Sequence, residues 1–371
     1  VSEREHERAG DAAGVGPLRR EALEAYLSRR GQPGAKVVAL TPLAPSGPSN
    51  KALGYGTPVR VTFEHRGRRA ELVVRTARAD GFGHDRRADR VAALVLDFDC
   101  FGLLPRHVPA LDVGVLQDDG TLASLVGQEP YLVTPYVEGQ LYADELVGLE
   151  RLDDAPAAAV SRARALALYL AALHRTRAAP EAYRRSIRDV LGSGEGIFGI
   201  AESFPAEHPV VTRRRLVALE QAAVPWRWRL RERVDRARRI HGDFHPYNLL
   251  FREGDDFTAL DASRGVAGDP ADDLTCLAIN YLFASLRARG RLGGAFEALW
   301  TTLWSTYLSE TGDRGLLEGV APFFAWRALV LASPAWYPDV EDALRDRLLT
   351  FAERLLAGAP FDPARVEALL A

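Results

Sequence analysis

The chain has no methionine, and only two of its 47 basic side chains are lysine, Lys36 and Lys51. With alanine, glycine, proline and arginine heavily used, this is a compositional bias. It still means that chemistry needing a buried lysine must use one of those two residues, or an arginine, which is not its equivalent. Cysteine is nearly absent. Cys100 and Cys276 stand far apart in apolar sequence, which excludes a disulfide framework or a zinc knuckle and fits a reducing compartment. No stretch reaches the roughly 18 uncharged apolar residues of a membrane span. Residues 1–16 mix charges of both signs and lack the apolar core of a signal peptide. A cytoplasmic protein with a flexible leader over 1–16 is therefore expected. Nor is there an excess of one charge: 47 basic and 50 acidic groups leave a net −3, no footprint for nucleic acid or an anionic membrane. A small molecule is the expected partner.

What is present is a globular composition over 371 residues, 47% hydrophobic and 26% charged, enough for one large or two modest domains. Helical spacing at Leu18, Ala22, Leu23, Tyr26 and Leu27 stops at Gly31. The period then becomes two, predicting strands over 37–40, 59–64 and 70–75 with a turn at Arg66-Gly67-Arg68. Residues 84–98 have helix spacing, and 131–137 (YLVTPYV) form a short β-type run. Beyond it the pattern is helical over 160–174, 216–222, 274–286, 296–308, 323–331 and 340–356, with one β interruption inside 240–262. A small β-rich lobe (17–134) followed by a large helical lobe (135–371) predicts a two-lobed α+β protein.

The densest group of reactive side chains lies in that β interruption: HGDFHPYN at 241–248, then Leu249-Leu250-Phe251, a polar turn, and Phe257-Thr258-Ala259-Leu260-Asp261. Two apolar runs around a turn containing Gly254 predict a β-hairpin. With Phe251 facing Thr258, the antiparallel register puts Asn248 opposite Asp261, their Cβ atoms roughly 4.5–5.5 Å apart. An amide oxygen and a carboxylate converging there suit Mg²⁺, a hard ion that takes few protein ligands and completes its shell with water and phosphate oxygens. Asp243, five positions before Asn248, is placed to face a hydroxyl beside the metal, as phosphoryl transfer requires.

HGDFHPYN followed by LDASRGVAGDPADDL (260–274) resembles the catalytic loop and metal segment of the aminoglycoside phosphotransferase and choline kinase family, which has a protein-kinase-like fold. YLVTPYVEG (131–139) is similar to that family's interlobe hinge, and LALYLAALH (166–174) to its helix before the catalytic loop. The resemblance implies Asp243 as catalytic base, Asn248 and Asp261 as Mg²⁺ ligands, and residues 268–274 as a structural helix start. It also implies ATP or GTP, bound between the lobes, as phosphoryl donor to a hydroxyl of an aminoglycoside, sugar, amino sugar or amino alcohol. There are two departures. Arg75 stands where the family has a phosphate-binding lysine, and 262–265 (ASRG) replaces its second acidic-aromatic element. Arginine can pair phosphates bidentately, with Asp85 or Asp89 as the acid that would hold it. Lys51, beside Gly54 and Gly56 in KALGYGTP, lies in a loop whose backbone N–H groups can approach phosphate. Because Pro135 has no N–H, the Thr134 carbonyl and the Tyr136 N–H would read an adenine in the hinge. The departures leave a second reading, a catalytically silent nucleotide-binding module of the same fold.

Plainer explanations accompany these residues. Asp and Asn favour turns for backbone hydrogen bonds alone. His241, Asp243 and His245 at alternate positions match a metal-hydrolase cluster, but no distant ligands complete such a set. The two histidines are instead expected to order the loop. Asp269 reads as an N-cap before Pro270, with Asp273 a secondary site candidate and His174 a core residue. Residues 191–198 (LGSGEGIF) read equally as a surface loop or a substrate loop, and Trp226-Arg227-Trp228-Arg229 as interhelical packing. The acceptor stays open, with Glu195, Asp272, Asp273, Tyr281, Trp336 and Tyr337 as candidate contacts.

Overall fold

A computed structural model describes residues 14–15, 18–43, 58–77, 79, 84–101, 108–127, 136–262 and 264–370. The chain divides into two compact units, Val1–Thr134 and Pro135–Ala371.

In the first unit β1 (Gly14–Val15) pairs with β2 (Leu18–Arg19), and α1 (Arg20–Arg29) follows. Then β3 (Lys36–Pro42), β4 (Val59–His65) and β5 (Arg68–Val74) form an antiparallel sheet in that order. Alternation selects the buried face: Val59, Val61 and Phe63 of β4 enter a core with Val37 of β3. Leu23 and Leu27, one turn apart on α1, cover it. β4 and β5 join through the predicted turn, His65 pairing with Arg68 across Arg66 and Gly67. α2 (Arg87–Phe101), β6 (Gly114–Leu116) and β7 (Leu122–Ser124) complete the unit. Asp112 accepts hydrogen bonds from the hydroxyls of Tyr26 (2.8 Å) and Ser124 (2.6 Å), tying the β6–β7 hairpin to α1.

The second unit opens with β8 (Gln140–Leu141), α3 (Tyr142–Leu149), α4 (Ala157–Leu173), α5 (Pro180–Gly192), α6 (Ile197–Ala201) and α7 (Arg213–Arg231). Four short strands follow, β9 (Arg238–Arg239), β10 (Leu249–Phe251), β11 (Phe257–Ala259) and β12 (Ala267–Gly268). The last helices are α8 (Pro270–Arg289), α9 (Ala295–Thr311), α10 (Ala321–Ala332) and α11 (Asp342–Leu356). β10 lies between β11 and β8, and β12 pairs with β9. Every residue of α8 from Pro270 to Ile279 is buried, as suits a central helix that is apolar nearly all round. It starts as its sequence requires: Asp269 accepts the Ala271 N–H at 3.0 Å and Pro270 takes the first helical position. Aromatic contacts weld α9, α10 and α11 together, with Phe324 5.2 Å from Phe351 and 6.3 Å from Trp304 between ring centroids. Among the described residues no helix is long and apolar enough to cross a membrane.

The α+β class stands as expected, with three differences of detail. α3, α5 and α6 escape the periodicity reading; α3 and α6 have only 8 and 5 residues, too short for a repeat to register. α7 runs past Pro225 to Arg231 instead of ending at 222. The β10–β11 hairpin is shifted by one residue: Leu249, Leu250 and Phe251 face Ala259, Thr258 and Phe257. The cause is its turn. The Arg252 N–H donates to the Asp256 carbonyl at 2.8 Å, leaving a three-residue loop with Gly254 at φ 62°, a common hairpin solution that needs a left-handed residue. Asn248 therefore lies across from Leu260, whose N–H donates to its carbonyl at 2.8 Å, and Asp261 falls one residue beyond.

Candidate active site

The segment 241–248 between β9 and β10 is anchored on the first turn of α8. The fully buried Asp273 carboxylate accepts the N–H groups of His241 at 2.7 Å and Gly242 at 2.8 Å. Two backbone donors that would otherwise be buried without partners are thereby satisfied. Asp273 also meets His174 Nε2 at 3.0 Å, and His174 Nδ1 meets the Tyr307 hydroxyl at 2.8 Å. His174 is thus a core residue, and Asp273 is a loop anchor. Gly242 has φ 84°, and a Cβ there would come within 2.8 Å of the Gly265 carbonyl oxygen, so this bend requires glycine. His241 Nδ1 accepts the Asp243 N–H at 3.3 Å and His245 Nδ1 accepts the Tyr247 N–H at 3.2 Å, which assigns both ring protons to Nε2. Both histidines order the loop, and no metal-binding group of three or more His, Cys, Asp or Glu occurs among the described residues.

Asp243 is buried at the tip of this loop. Its Oδ2 accepts a hydrogen bond from Asn248 Nδ2 at 3.3 Å and lies 3.4 Å from His245 Nε2, while Asn248 Nδ2 also donates to the Asp243 carbonyl at 3.0 Å. Its Oδ1 accepts from Arg264 Nη1 at 2.6 Å and Arg327 Nη1 at 2.8 Å. Arg327, buried on α10, also donates from Nη2 to Asp272 Oδ1 at 3.0 Å and to the Gly242 carbonyl at 3.2 Å. Arg264 Nε reaches Glu195 at 2.9 Å, and the two guanidiniums lie 4.5 Å and 3.8 Å from the Trp326 ring centroid. Burial by itself would raise the Asp243 carboxyl. The hydrogen bond to His245 and the charges of Arg327 and Arg264 outweigh it and hold the group well below the usual carboxylate range. At Asp272 burial wins: against the pull of Arg327 and with the repulsion of Asp273, its carboxyl is pushed up to about 6. Asp243 is therefore a fixed, ionised acceptor, suited to orienting a hydroxyl and receiving its proton.

Of the residues singled out in the sequence, Asp243 and Asn248 come into direct contact. Asp261 is exposed at φ 47° just past the strand pair. Since the Asn248 NH₂ is committed to Asp243, its carbonyl oxygen is the atom left for a ligand. An amide oxygen and the Asp261 carboxylate are donors of the kind that a hard divalent ion retaining most of its water takes. Arg75 lies in the first unit just after β5, where it pairs with Asp97 of α2, while Asp89 accepts the Arg86 N–H at 2.8 Å. Tyr136 is described and almost fully exposed; Lys51, Gly54, Gly56 and Thr134 lie outside the described residues. Residues 191–198 are the end of α5, a turn and the start of α6. That turn carries Glu195, whose carbonyl accepts the Trp326 indole N–H at 2.5 Å. Trp226 does pack between helices, donating to the Leu356 carbonyl at 2.8 Å, and Arg229 sits 5.0 Å from its ring centroid.

Arg327, Arg264 and the role of Asp272 were not foreseen. A signal existed for Arg327: it is the one charge in APFFAWRALVLA, and a lone cation in an apolar helix must find buried acids. Nothing in local sequence says which acids.

The model of the phosphotransferase enzyme family matches residues 56–307. No curated protein sequence matches the chain. Among solved structures, it is similar to a macrolide 2′-phosphotransferase from Brachybacterium faecium, at 16% identity over 92% of this chain and 99% of that one, TM-score 0.31. It is also similar to a choline kinase from Streptococcus pneumoniae, at 15% identity over 91% and 98%, TM-score 0.33. A Plasmodium vivax ethanolamine kinase matches at 11% identity over 85% and 79%, TM-score 0.36.

Proposed function

The chain belongs to the phosphotransferase enzyme family and is a small-molecule kinase, and from that premise we propose that it moves the γ-phosphoryl group of ATP or GTP to an alcohol, assisted by Mg²⁺. The observation that carries this reading is the Asp243 carboxylate, buried, ionised and in contact with Asn248. In the proposed step the acceptor O–H gives its proton to Asp243 and its oxygen bonds to the γ-phosphorus. The bond from that phosphorus to the β,γ-bridging oxygen breaks, the electron pair leaving on the nucleoside diphosphate. With a base this weak the proton moves late, and the rate enhancement comes from orientation and preorganised charge. Asn248 and Asp261 would hold the metal, which neutralises phosphate charge when bound. Lys51, Gly54, Gly56, Arg75, Thr134 and Tyr136 are the proposed nucleotide contacts.

Asp243→Ala and Asp261→Ala should each abolish acceptor-dependent nucleotide consumption while the melting transition stays cooperative. Full turnover in either would overturn the roles assigned. One observation favours a second reading, a silent nucleotide-binding module: Asp243 Oδ1 is already held by two guanidiniums. Nucleotide at 100 times its dissociation constant adds about 2.7 kcal/mol of stability. Such a shift with Mg²⁺ but no turnover of any alcohol would support the module.

A further inference from the structure

We infer that the acceptor is an uncharged alcohol with an apolar body, rather than a polyammonium sugar or a choline-like cation. The inference rests on the phosphotransfer reading of Asp243. Beside that residue, inside the second unit, lies a cavity of about 340 Å³, within the range of small-molecule sites. Its wall is largely apolar, with Ile200, Ile279, Val330 and Leu331 together with the rings of Trp336 and Tyr337.

Its charged lining is balanced. The carboxylates of the lining are Asp243 and Glu195, and its arginines are Arg264 and Arg327. Each carboxylate is already engaged: Glu195 by Arg264 at 2.9 Å, and Asp243 by Arg264 at 2.6 Å and Arg327 at 2.8 Å. An ammonium entering here would meet two fixed guanidiniums and no uncompensated acid, so it would have to displace an arginine. The rings of Tyr247, Trp336 and Tyr337 offer aromatic faces to a quaternary ammonium, but on this wall it would stand beside two fixed guanidiniums with both carboxylates already engaged. The neutral hydrogen-bonding groups that remain on the wall, Asn280 and Tyr247, suit hydroxyls.

The test is calorimetric titration of the full chain with octyl β-glucoside below its micelle concentration, with choline, and with tetraglucosamine. The glucoside should bind, and the two cations should not. Trp336 is exposed, so Trp336→Ala should melt like the parent while its Kd for the glucoside rises about tenfold, the size of effect seen when an aromatic anchor is truncated. The inference is overturned if either cation binds as tightly as the glucoside, if the glucoside does not bind, or if Trp336→Ala leaves its Kd unchanged. These isotherms do not depend on catalysis. The phosphotransfer reading fails separately, if the wild-type chain with Mg²⁺ and ATP phosphorylates no hydroxyl compound, including any that binds.

Discussion

Arg327 Nη1 lies 2.8 Å from Asp243 Oδ1, and the same guanidinium reaches Asp272 Oδ1 at 3.0 Å, so one buried cation bridges two buried acids. The pair joins α10 to the proposed catalytic loop and to the start of α8. Its geometry is that of a fork, and a point charge cannot reproduce it.

Arg327→Met should therefore destabilise the protein by about 3–5 kcal/mol, the loss expected when a buried pair is broken and its partner charge left behind. Arg327→Lys should recover only part of it. Urea unfolding measures both, and a loss under about 1 kcal/mol would mean the acids find other partners.

The two acids should respond to pH in opposite senses. The Asp243 carboxyl is depressed below its ordinary 3.8, so the unfolded chain binds the proton more readily. Its stabilisation is complete above that value and is lost as pH falls through the folded pKa. Asp272 is raised from 3.8 to about 6, so its contribution is complete below 3.8 and is lost as pH rises through about 6. Melting curves should show Asp272→Asn removing a decline between those values; an unchanged slope would contradict the assignment.

Asp273→Ala takes the acceptor from the His241 and Gly242 N–H groups. A cost of about 1–3 kcal/mol per orphaned donor is expected. The displaced loop should lower kcat more than it changes the KM for nucleotide, which steady-state kinetics at several nucleotide concentrations would separate.

Chelation of divalent ions should stop turnover and its readdition restore it. Asn248→Ala should raise the Mg²⁺ concentration for half-maximal rate by roughly tenfold or more, because the ion would lose one of its two proposed protein ligands. An unaltered Mg²⁺ dependence would remove Asn248 from the metal site.

Arg75 and Asp97 form a half-exposed pair, so Arg75→Ala should change stability by less than about 1 kcal/mol. If Arg75 holds phosphate, the same variant raises the KM for nucleotide, and Arg75→Lys partly restores it. A KM equal to that of the parent would show a surface ion pair and nothing more.

Sequence alone determined what depends on neighbours a few positions away. Alternation at Val59, Val61 and Phe63 set the buried face of β4, and Asp269-Pro270 set the start of α8. The spacing of Asp243 and Asn248 in one tight loop brought them into contact. Only the tertiary structure decided the rest. A single residue in the turn around Gly254 moved Asp261 past Asn248, because hairpin register follows loop length, which composition does not specify. The partners of Arg264 and Arg327 come from helices and loops far away in the chain, since a buried charge must find its counter-charge wherever packing delivers one. That long-range pairing joins His245 of the loop motif in holding Asp243 ionised, and it pairs the carboxylates of the cavity beside it.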